Sequence, residues 1–412
     1  MRRLPILVAV PFLALAACGT SGSDGGEAGV IEPTDGLGRA DLLDDAPTTN
    51  LANGFNDAGF DLLRTLPADE STVFSPTSIG HALLMARAAA DEPTGANIDA
   101  GFALPEGIAA HDAWNAIDQA IAASNGQATS NEGAPTPVVT IADRIWPRQG
   151  LTVDADWIDL LATHHGAGAE TIDVAKPEES RQRINAWVSD QTNELIPSLL
   201  PEGFIDGNTN LVLTDALYFK AQWQTVFGKY GTIDRDFTNI DGSSTPTSFM
   251  RELELTAPRG IGDGWAAAEL PYLGADYSML VIVPDDLAAM RDRLSQELLD
   301  DIDTTVESGP YELLLPKWET ESNLDLLPWL TDLGAAPGNY PAMDAFLDGA
   351  VHAAVITVDE IGTEAAAATG LGFAESGPPE PEFTIAADRP FLYVIRHVDT
   401  GLVLFVGQVT SL

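Results

Sequence analysis

One stretch near the C-terminal end limits the possible folds more than any other feature of the sequence. Residues 351–358 are VHAAVITV, and a segment so rich in β-branched residues is typical of a strand. The tract TEAAAAT follows at 363–369, although alanine is the best helix former. Any fold of this chain must therefore continue a strand into a segment of small residues whose own propensity favours a helix.

The side-chain pattern after Thr363 favours a strand. Strand side chains point to opposite faces with a period of two. One set is small or apolar and consists of Thr363, Ala365, Ala367, Thr369, Leu371 and Phe373. The other set carries the one charge and the glycines and consists of Glu364, Ala366, Ala368, Gly370, Gly372 and Ala374. Each glycine costs a helix interior about 1 kcal/mol. We therefore predict a half-buried strand with the first set facing the core, while a helix stays open for 363–368 alone.

The N-terminal residues predict export. Arg2 and Arg3 precede an apolar run and then small residues, which is the pattern of a secretory signal peptide. Residues 15–19, LAACG, resemble the lipobox of bacterial lipoproteins, and this implies a signal peptide at 1–17 and a lipid on Cys18. We expect a lipid-anchored protein of the bacterial cell envelope, at the cell surface or in the periplasm, or one released outside the cell. Because Cys18 is the one cysteine, we expect no disulfide framework.

The charge balance narrows the class of partner. The chain has 62 acidic and 20 basic residues, which gives a formal net charge of −42. Nucleic-acid binding needs basic side chains that displace counterions, and an anionic lipid surface attracts basic segments. We therefore expect no nucleic acid as a partner, and contact with a membrane only through the N-terminal lipid.

The remaining sequence divides into a tether and one domain. Residues 18–50 are rich in Gly, Ser, Thr and Asp without an apolar period, which predicts a flexible tether. From residue 51 onward helical spacing appears first and apolar strands dominate later, with no internal repeat and no internal linker. We predict a single large α+β domain over 51–412.

Motifs of catalysis are scarce. The sequence has no G-x-S-x-G, Walker, H-E-x-x-H or C-x-x-C motif. His164 and His165 are adjacent and point to different sides of a helix, which favours a helix end before Gly166 over a shared metal site. We expect no enzyme activity, no metal and no cofactor. A Ser-His-Asp triad built from distant residues stays open, because triads form across sequence distance.

Seven blocks in one order resemble a known family. They are VFSPTSIGHALLMA, INAWVSDQTNELIPSLLP, LVLTDALYFKAQWQTVF, ELPYLGADYSMLVIVPDD, LLLPKWETESNLDL, VHAAVITVDEIGTEAAAATG and ADRPFLYVIRHVDTGLVLFVGQV. Over 51–412 they resemble the serpins, a family of serine protease inhibitors. The resemblance implies the serpin fold, with a helix-rich part, a dominant mixed sheet and an exposed reactive-centre loop at about 360–383.

The resemblance also implies a mechanism. A serpin is cleaved in its reactive-centre loop by a serine protease, holds that protease as an acyl-enzyme, and inserts the hinge of the loop into the main sheet. The matching hinge residues are Glu360, Gly362, Thr363, Glu364, Ala365, Ala366, Ala367, Ala368 and Thr369. No inward position carries a charge, which favours insertion. We therefore expect a monomeric, irreversible inhibitor. The alternative is a non-inhibitory serpin-fold lipoprotein that acts as a binding module.

The position of the reactive bond is predicted in two ways. Inward apolarity ends at Phe373, so the inserted strand ends close to it. Family spacing from Glu360 places the acyl-side residue at Ser376 or at Glu375. The candidate bonds are Ser376–Gly377 and Glu375–Ser376. A Ser376 bait suits the small primary pockets of elastase-like or subtilisin-like proteases.

Asp215 departs from the family pattern, which has asparagine at this place. In serpins that asparagine belongs to a cluster that controls how the main sheet opens, and the matching partners are Ser75 and His352. A carboxylate accepts hydrogen bonds but cannot donate as an amide does. We expect Asp215 to accept from both partners, to keep His352 protonated, and to make sheet opening sensitive to acid.

Overall fold

The computed structural model describes residues 29–126, 137–228, 231–363 and 383–412. Helices dominate the first half of the described chain, as predicted. They are α1 (Thr48–Thr65), α2 (Pro76–Arg87), α3 (Glu92–Gly101), α4 (Ile108–Ser124), α5 (Ala155–Leu160), α6 (Pro177–Gln191), α7 (Leu287–Arg293), α8 (Gln296–Thr305) and α9 (Leu327–Leu333). A π-helical turn, Leu161–His165, continues α5, and a short 3-10 turn lies at Pro341–Met343.

Strands dominate the second half. They are β1 (Val30–Ile31), β2 (Thr72–Phe74), β3 (Val138–Ile141), β4 (Arg144–Pro147), β5 (Ala169–Glu170), β6 (Leu211–Gln222), β7 (Ile233–Thr238), β8 (Ser244–Gly262), β9 (Trp265–Pro271), β10 (Tyr277–Pro284), β11 (Glu307–Pro316), β12 (Trp318–Asp325), β13 (Gly349–Val358), β14 (Gly362–Thr363), β15 (Thr384–Ala386), β16 (Phe391–His397) and β17 (Val403–Val409). The single α+β domain predicted from the sequence is confirmed.

Two sheets organise these strands. Within the described residues the main sheet has the order β1-β5-β4-β6-β14-β13-β12, with β3 also paired to β6. The second sheet has the order β15-β11-β8-β9-β10-β16-β17-β2, with β7 paired to β8. The main sheet is mixed, because β13 runs parallel to β6 and β4 parallel to β5, whereas β4 runs antiparallel to β6 and β12 antiparallel to β13.

The central strands of the main sheet are covered on both faces. Side chains of β6 alternate between two apolar clusters, with Leu213 and Leu217 in the large core and Val212 and Ala216 in a smaller one. The smaller cluster also contains Ile184 and other residues of α6. Strands buried on both faces consist of nearly continuous apolar residues, which explains the sequence of β6.

Helix α2 lies beneath this sheet. Ser75 is its N-cap, with the Ser75 hydroxyl accepting from the Ser78 N–H at 3.0 Å, and Pro76 occupies the first turn. This is the helix start that the Ser-Pro pair predicts. Every residue from Pro76 to Ala86 is buried. Polar side chains of α2 are therefore enclosed and need partners inside the protein.

The stretch that precedes the domain differs from the predicted tether. Val30–Ile31 pairs with Ala169–Glu170 at one edge of the main sheet, and the Thr34 N–H donates to Asp159 at 2.8 Å. Arg39 forms an ion pair with Asp118 at 2.7 Å. From Gly29 onward this polar segment therefore lies on the domain, while residues 18–28 lie outside the described part. No described helix is both long enough and apolar enough to cross a bilayer.

A test of the helix packing uses Gly54 in α1. A methyl group on Gly54 would lie 2.0 Å from the carbonyl oxygen of Phe102. Gly54→Ala should therefore lower the free energy of unfolding by about 1–3 kcal/mol, although alanine favours a helix. Asn53→Ala, at a half-buried position of the same helix, is the control. Urea unfolding that finds Gly54→Ala as stable as Asn53→Ala would contradict this packing.

Candidate functional site in the main sheet

The contact between β6 and β13, here called the seam, changes along its length. Gly349 to Ala353 pair with Val212 to Ala216 in a parallel ladder. At the other end β14 lies between the two strands, because Thr363 pairs with Ala221 on β6 and with Val358 on β13. The two strands are thus joined at one end and held apart at the other by Gly362 and Thr363 of the predicted hinge.

A tight turn directs the chain from β13 back into the sheet. The Asp359 carboxylate accepts from the backbone N–H groups of Ile361 at 2.8 Å and Gly362 at 3.2 Å. Trp223 holds the same turn, since its backbone N–H donates to the Ile361 carbonyl at 2.8 Å and its indole N–H to the Asp359 carbonyl at 2.9 Å. These bonds fix where the hinge begins.

Glu360 lies at the outer side of this turn. Its Oε1 accepts from the Thr232 hydroxyl at 2.8 Å and lies 3.3 Å from the ammonium of Lys317. Partial burial raises the pKa of Glu360, but its own backbone N–H, Thr232 and Lys317 together lower the pKa below its ordinary value. Glu360 is therefore ionised at neutral pH and anchors the turn.

The next two residues fit closely into the sheet. A methyl group on Gly362 would lie 2.0 Å from the carbonyl oxygen of Ala221, so this position admits only glycine. Thr363 is 2% exposed, and its hydroxyl lies 2.6 Å from the phenol oxygen of Tyr272. Tyr272 stacks on Trp223 with ring centroids 4.5 Å apart. A sheet with such a start can take up the following segment as a further strand.

Several predicted site residues lie outside the described part of the chain. They are Cys18, Glu364, Ala365, Ala366, Ala367, Ala368, Thr369, Glu375, Ser376 and Gly377. The insertion register beyond Thr363, the reactive bond and the lipidation site stay predictions.

The structure brings the predicted cluster of Ser75, Asp215 and His352 together beneath the seam. His352 and Asp215 are direct partners in the β6–β13 ladder. The His352 Nδ1–H donates to the Asp215 carboxylate, at 2.5 Å. On the other side of the ring, the Ser75 backbone N–H donates to His352 Nε2 at 3.0 Å. The N-cap of α2 is thereby connected to both strands of the seam.

This geometry corrects two details of the cluster. The expectation of a protonated His352 is wrong, because Nε2 accepts the Ser75 N–H and an imidazolium has no acceptor. The expectation that Asp215 accepts from Ser75 directly is also wrong. The Ser75 hydroxyl caps α2, and Ser75 reaches Asp215 only through the His352 ring. Among the described residues Asp215 Oδ2 finds no hydrogen-bond partner, although it is buried.

A second buried carboxyl lies beside Asp215. Ala142 and Ala216 exchange backbone hydrogen bonds of 2.8 and 3.3 Å. Asp143 directly follows Ala142, and Asp215 directly precedes Ala216, so each aspartate is next to one member of this bonded pair. Burial raises the pKa of Asp143 well above its ordinary value, and the charge of Asp215 raises it further. The hydroxyl of Ser78 donates to Asp143 Oδ1 at 2.9 Å. Two carboxyls therefore share a nearly dry region beside the seam.

The histidine pair His164–His165 lies at the end of a helix. The π-helical turn ends at His165, and Gly166 follows with a φ of 58°, so the predicted helix end is confirmed. Among the described residues, no group of three or more His, Cys, Asp or Glu side chains is arranged to hold a metal ion.

Sequence reasoning missed four residues of this region, Tyr272, His81, His111 and Asp143. They come from distant parts of the chain, and no local motif marks them.

Comparison with known proteins assigns the class. A family model described as Serpin (serine protease inhibitor) matches residues 53–412. The leukocyte elastase inhibitor of Bos taurus is 32% identical over 358 residues, which are 82% of this chain and 92% of that protein. The chain belongs to the serpin family.

Solved structures agree with this fold. Tengpin, a thermophilic serpin in its native state, aligns with a TM-score of 0.79 at 22% identity and covers 93% of this chain and 100% of its own. Human thyroxine-binding globulin aligns with a TM-score of 0.76 at 22% identity and covers 88% of this chain and 99% of its own. At these identities the likeness shows the fold alone.

The Asp215 carboxylate should make stability depend on pH through Asp143. A group whose pKa is raised by folding stabilises the protein below its unfolded pKa, and this contribution is lost as pH rises through the folded pKa. Asp215→Asn keeps an acceptor for His352 but removes the charge that raises the pKa of Asp143. The variant should therefore gain melting temperature over wild type, and the gain should be larger at about pH 8 than at about pH 5. An equal difference at both pH values would contradict the coupling.

Proposed function

We propose that this chain is an irreversible inhibitor of serine proteases that traps its target by inserting the reactive-centre loop into the main sheet. The observation that carries the proposal is β14, since Gly362 and Thr363 already lie between β6 and β13. The segment that follows can extend this pairing along the seam, and its side chains alternate as an inserted strand requires.

The chemistry of the trap begins with the target. The catalytic serine of the protease attacks the carbonyl of Ser376 or Glu375 and forms an acyl-enzyme, while the chain from Gly377 or Ser376 leaves with a new amino group. Release of this end frees the hinge to insert. The bound protease is carried along, and a displacement of about 1 Å in its site slows deacylation by a factor on the order of 10².

Two features of the described residues make insertion favourable yet slow. Backbone groups along β6 and β13 gain hydrogen-bond partners from an added strand, and each bond contributes about 0.5–1.5 kcal/mol. Before that happens, the parallel ladder and the His352–Asp215 hydrogen bond must separate. Removing a partner from a buried polar group costs about 1–3 kcal/mol. The cluster under the seam thus supplies part of the barrier that keeps the uncleaved form in place.

The target is proposed to be an elastase-like or subtilisin-like protease. A serine at the acyl side of the bond fits a small primary pocket, and the relative from Bos taurus is named a leukocyte elastase inhibitor. Glu375 as the acyl-side residue would instead suit a protease that accepts glutamate.

The test compares two arginine substitutions, one at a position that would face into the core after insertion and one at a position that would face outward. If Thr363 faces inward, Ala367 faces inward and Ala366 faces outward in the inserted strand. An unpaired buried charge costs several kcal/mol. Ala367→Arg should therefore be cleaved as a substrate without trapping, whereas Ala366→Arg should still form the complex. An elastase-like protease and a denaturing gel that resolves the covalent complex provide the measurement.

The outcomes separate the proposal from its alternative. A stable complex for wild type and Ala366→Arg, with cleavage alone for Ala367→Arg, supports insertion in this register. Equal trapping by both variants contradicts the register. Cleavage of wild type without any complex, over a panel of serine proteases, would favour a binding module, a role that the name of thyroxine-binding globulin illustrates on the same fold.

We further propose that the protein is exported and held at the cell envelope by a lipid on Cys18. The support is the signal-like N-terminus and the lipobox-like LAACG. Cys18→Ser should remove the lipid and move the protein from the membrane fraction to the soluble fraction of a bacterial host. Retention of Cys18→Ser in the membrane fraction would contradict lipid anchoring, and a mass spectrum of the mature N-terminus identifies the lipid directly.

A further inference from the structure

A chain of hydrogen bonds runs from Asp143 away from the seam through three histidines. Asp143 Oδ2 lies 2.6 Å from His81 Nδ1. His81 Nε2 lies 3.0 Å from His165 Nδ1, and His165 Nε2 lies 2.8 Å from His111 Nδ1. The four residues come from α2, α4, the π-helical turn and the connection between β3 and β4. Each ring uses one nitrogen toward each neighbour, so the chain is continuous.

The members of the chain are buried, and burial keeps the rings neutral. His81 and His165 are each 4% exposed. Burial lowers the pKa of both rings well below its ordinary value, with Arg39 and the neighbouring histidines acting in the same direction. Burial also lowers the pKa of His111, to about 4, helped by His164. The indole ring of Trp114 stacks on His81 at 3.9 Å and holds that ring in its plane.

Neutral rings allow only two arrangements of protons in such a chain. In the first, Asp143 is ionised and each histidine donates from Nδ1, which leaves His111 Nε2 without a proton. In the second, Asp143 carries a proton and each histidine donates from Nε2. The two arrangements differ by one proton in total. They interconvert when the three rings change tautomer together.

One end of the chain borders a cavity. A cavity of about 240 Å³ lies between α2, α3, α4 and the end of α5, and His111 forms part of its wall. Its other lining residues include Arg87, Asp99, Leu104, Ile108 and Leu160. Arg87 and Asp99 are paired with each other at 2.7 Å, and His111 is the wall residue whose ring nitrogen Nδ1 continues into the hydrogen-bonded chain. His111 is 6% exposed.

The other end of the chain borders the seam. Asp143 lies beside Asp215, whose Oδ1 accepts from His352 across the seam and whose charge raises the pKa of Asp143. Opening the seam would let water reach Asp215 and would screen its charge from Asp143. The closed seam therefore favours the arrangement in which Asp143 carries the proton.

Other charged groups surround the chain without interrupting it. Arg39 faces His81 and His165, and His164, which lies 3.4 Å from Asp112, faces His111 and His165. Arg87 and Asp99 face His111, and Asp118 and Asp215 face Asp143.

We propose that His111, His165, His81 and Asp143 form a proton relay that carries a proton from the cavity to Asp143 and thereby makes sheet opening depend on pH. A proton binds His111 Nε2, and the Nδ1 proton of His111 passes to His165 Nε2. The Nδ1 proton of His165 passes to His81 Nε2, and that of His81 passes to Asp143 Oδ2. One proton enters, three rings change tautomer, and one carboxylate becomes a carboxylic acid.

The sign of the pH effect follows from the raised pKa of Asp143 in the closed state. Protonated Asp143 does not repel Asp215, so the closed native state is most persistent on the acid side of that pKa. The closed native state becomes less persistent as pH rises through the pKa of Asp143. Each unit by which opening lowers the pKa of Asp143 changes the opening equilibrium about tenfold. The link to sheet opening rests on the proposed function, whereas the relay itself does not.

The relay has a spectroscopic signature. In protein with ¹⁵N-labelled histidine, the six rings include His397, which lies outside the chain and serves as an internal control. Between about pH 5 and about pH 9, His81, His165 and His111 should change tautomer with one shared midpoint and without forming imidazolium. Separate midpoints, or protonation of any of the three to imidazolium in this range, would overturn the relay.

The matched variant is Asp143→Asn. Its amide can donate to His81 Nδ1 and accept from the Ser78 hydroxyl, which reproduces the protonated arrangement at every pH. The three rings should then stay in the Nε2–H tautomer throughout. Glu269→Gln, which removes a half-buried charge paired with Arg396 far from the relay, is the control.

The effect on the sheet is measured as the lifetime of the uncleaved native form. Samples held at a fixed temperature at about pH 5 and about pH 9 are assayed for the fraction that resists a urea concentration that unfolds native protein. Wild type and Glu269→Gln should convert about tenfold or more faster at the higher pH. Asp143→Asn should convert at both pH values at the slow rate that wild type shows at about pH 5.

The outcomes distinguish the two claims. Equal conversion rates of wild type at both pH values would overturn the control of opening by the relay. Asp143→Asn that keeps the pH ratio of wild type would overturn it as well. Absence of any conversion to a urea-resistant form would overturn both the relay's control and the stored energy on which the proposed inhibitor depends.

Discussion

The hydrogen bond between His352 and Asp215 is the contact on which the rest of the site depends. It joins β13 to β6 where the two strands run parallel, and the Ser75 N–H fixes the ring from the N-terminus of α2. A buried polar group costs little while it is paired and much when it loses its partner. This one bond therefore ties the helix beneath the sheet to the state of the sheet, and it makes separation of the strands a cooperative event.

The fold was accessible from the sequence because the signals for it are local. The Ser-Pro start of α2, the apolar run of β6 and the β-branched run of β13 each predict their element without knowledge of the others. The cluster under the seam was also predicted as a set, since the family pattern names Ser75, Asp215 and His352. Its proton arrangement was not predicted, because that depends on which ring nitrogen faces the Ser75 N–H.

The histidine chain shows where sequence reasoning ends. His81 and His111 appear in the sequence as single histidines on apolar helices, and His165 as half of a pair at a helix end. Their connection depends on ring orientations that four separate elements impose. Asp143 gives no signal in sequence, since a single Asp between two short strands is typical of a turn. Burial turns it into a titrating group beside the seam.

The strand β1 has a consequence for how these molecules behave next to one another. It forms one edge of the main sheet and is two residues long, Val30–Ile31. A long, flat edge offers a row of backbone donors and acceptors to any extended chain nearby, whereas a very short edge strand offers few. At this margin the main sheet therefore offers little to the backbone of a second molecule, whereas the opposite edge strand, β12, is eight residues long.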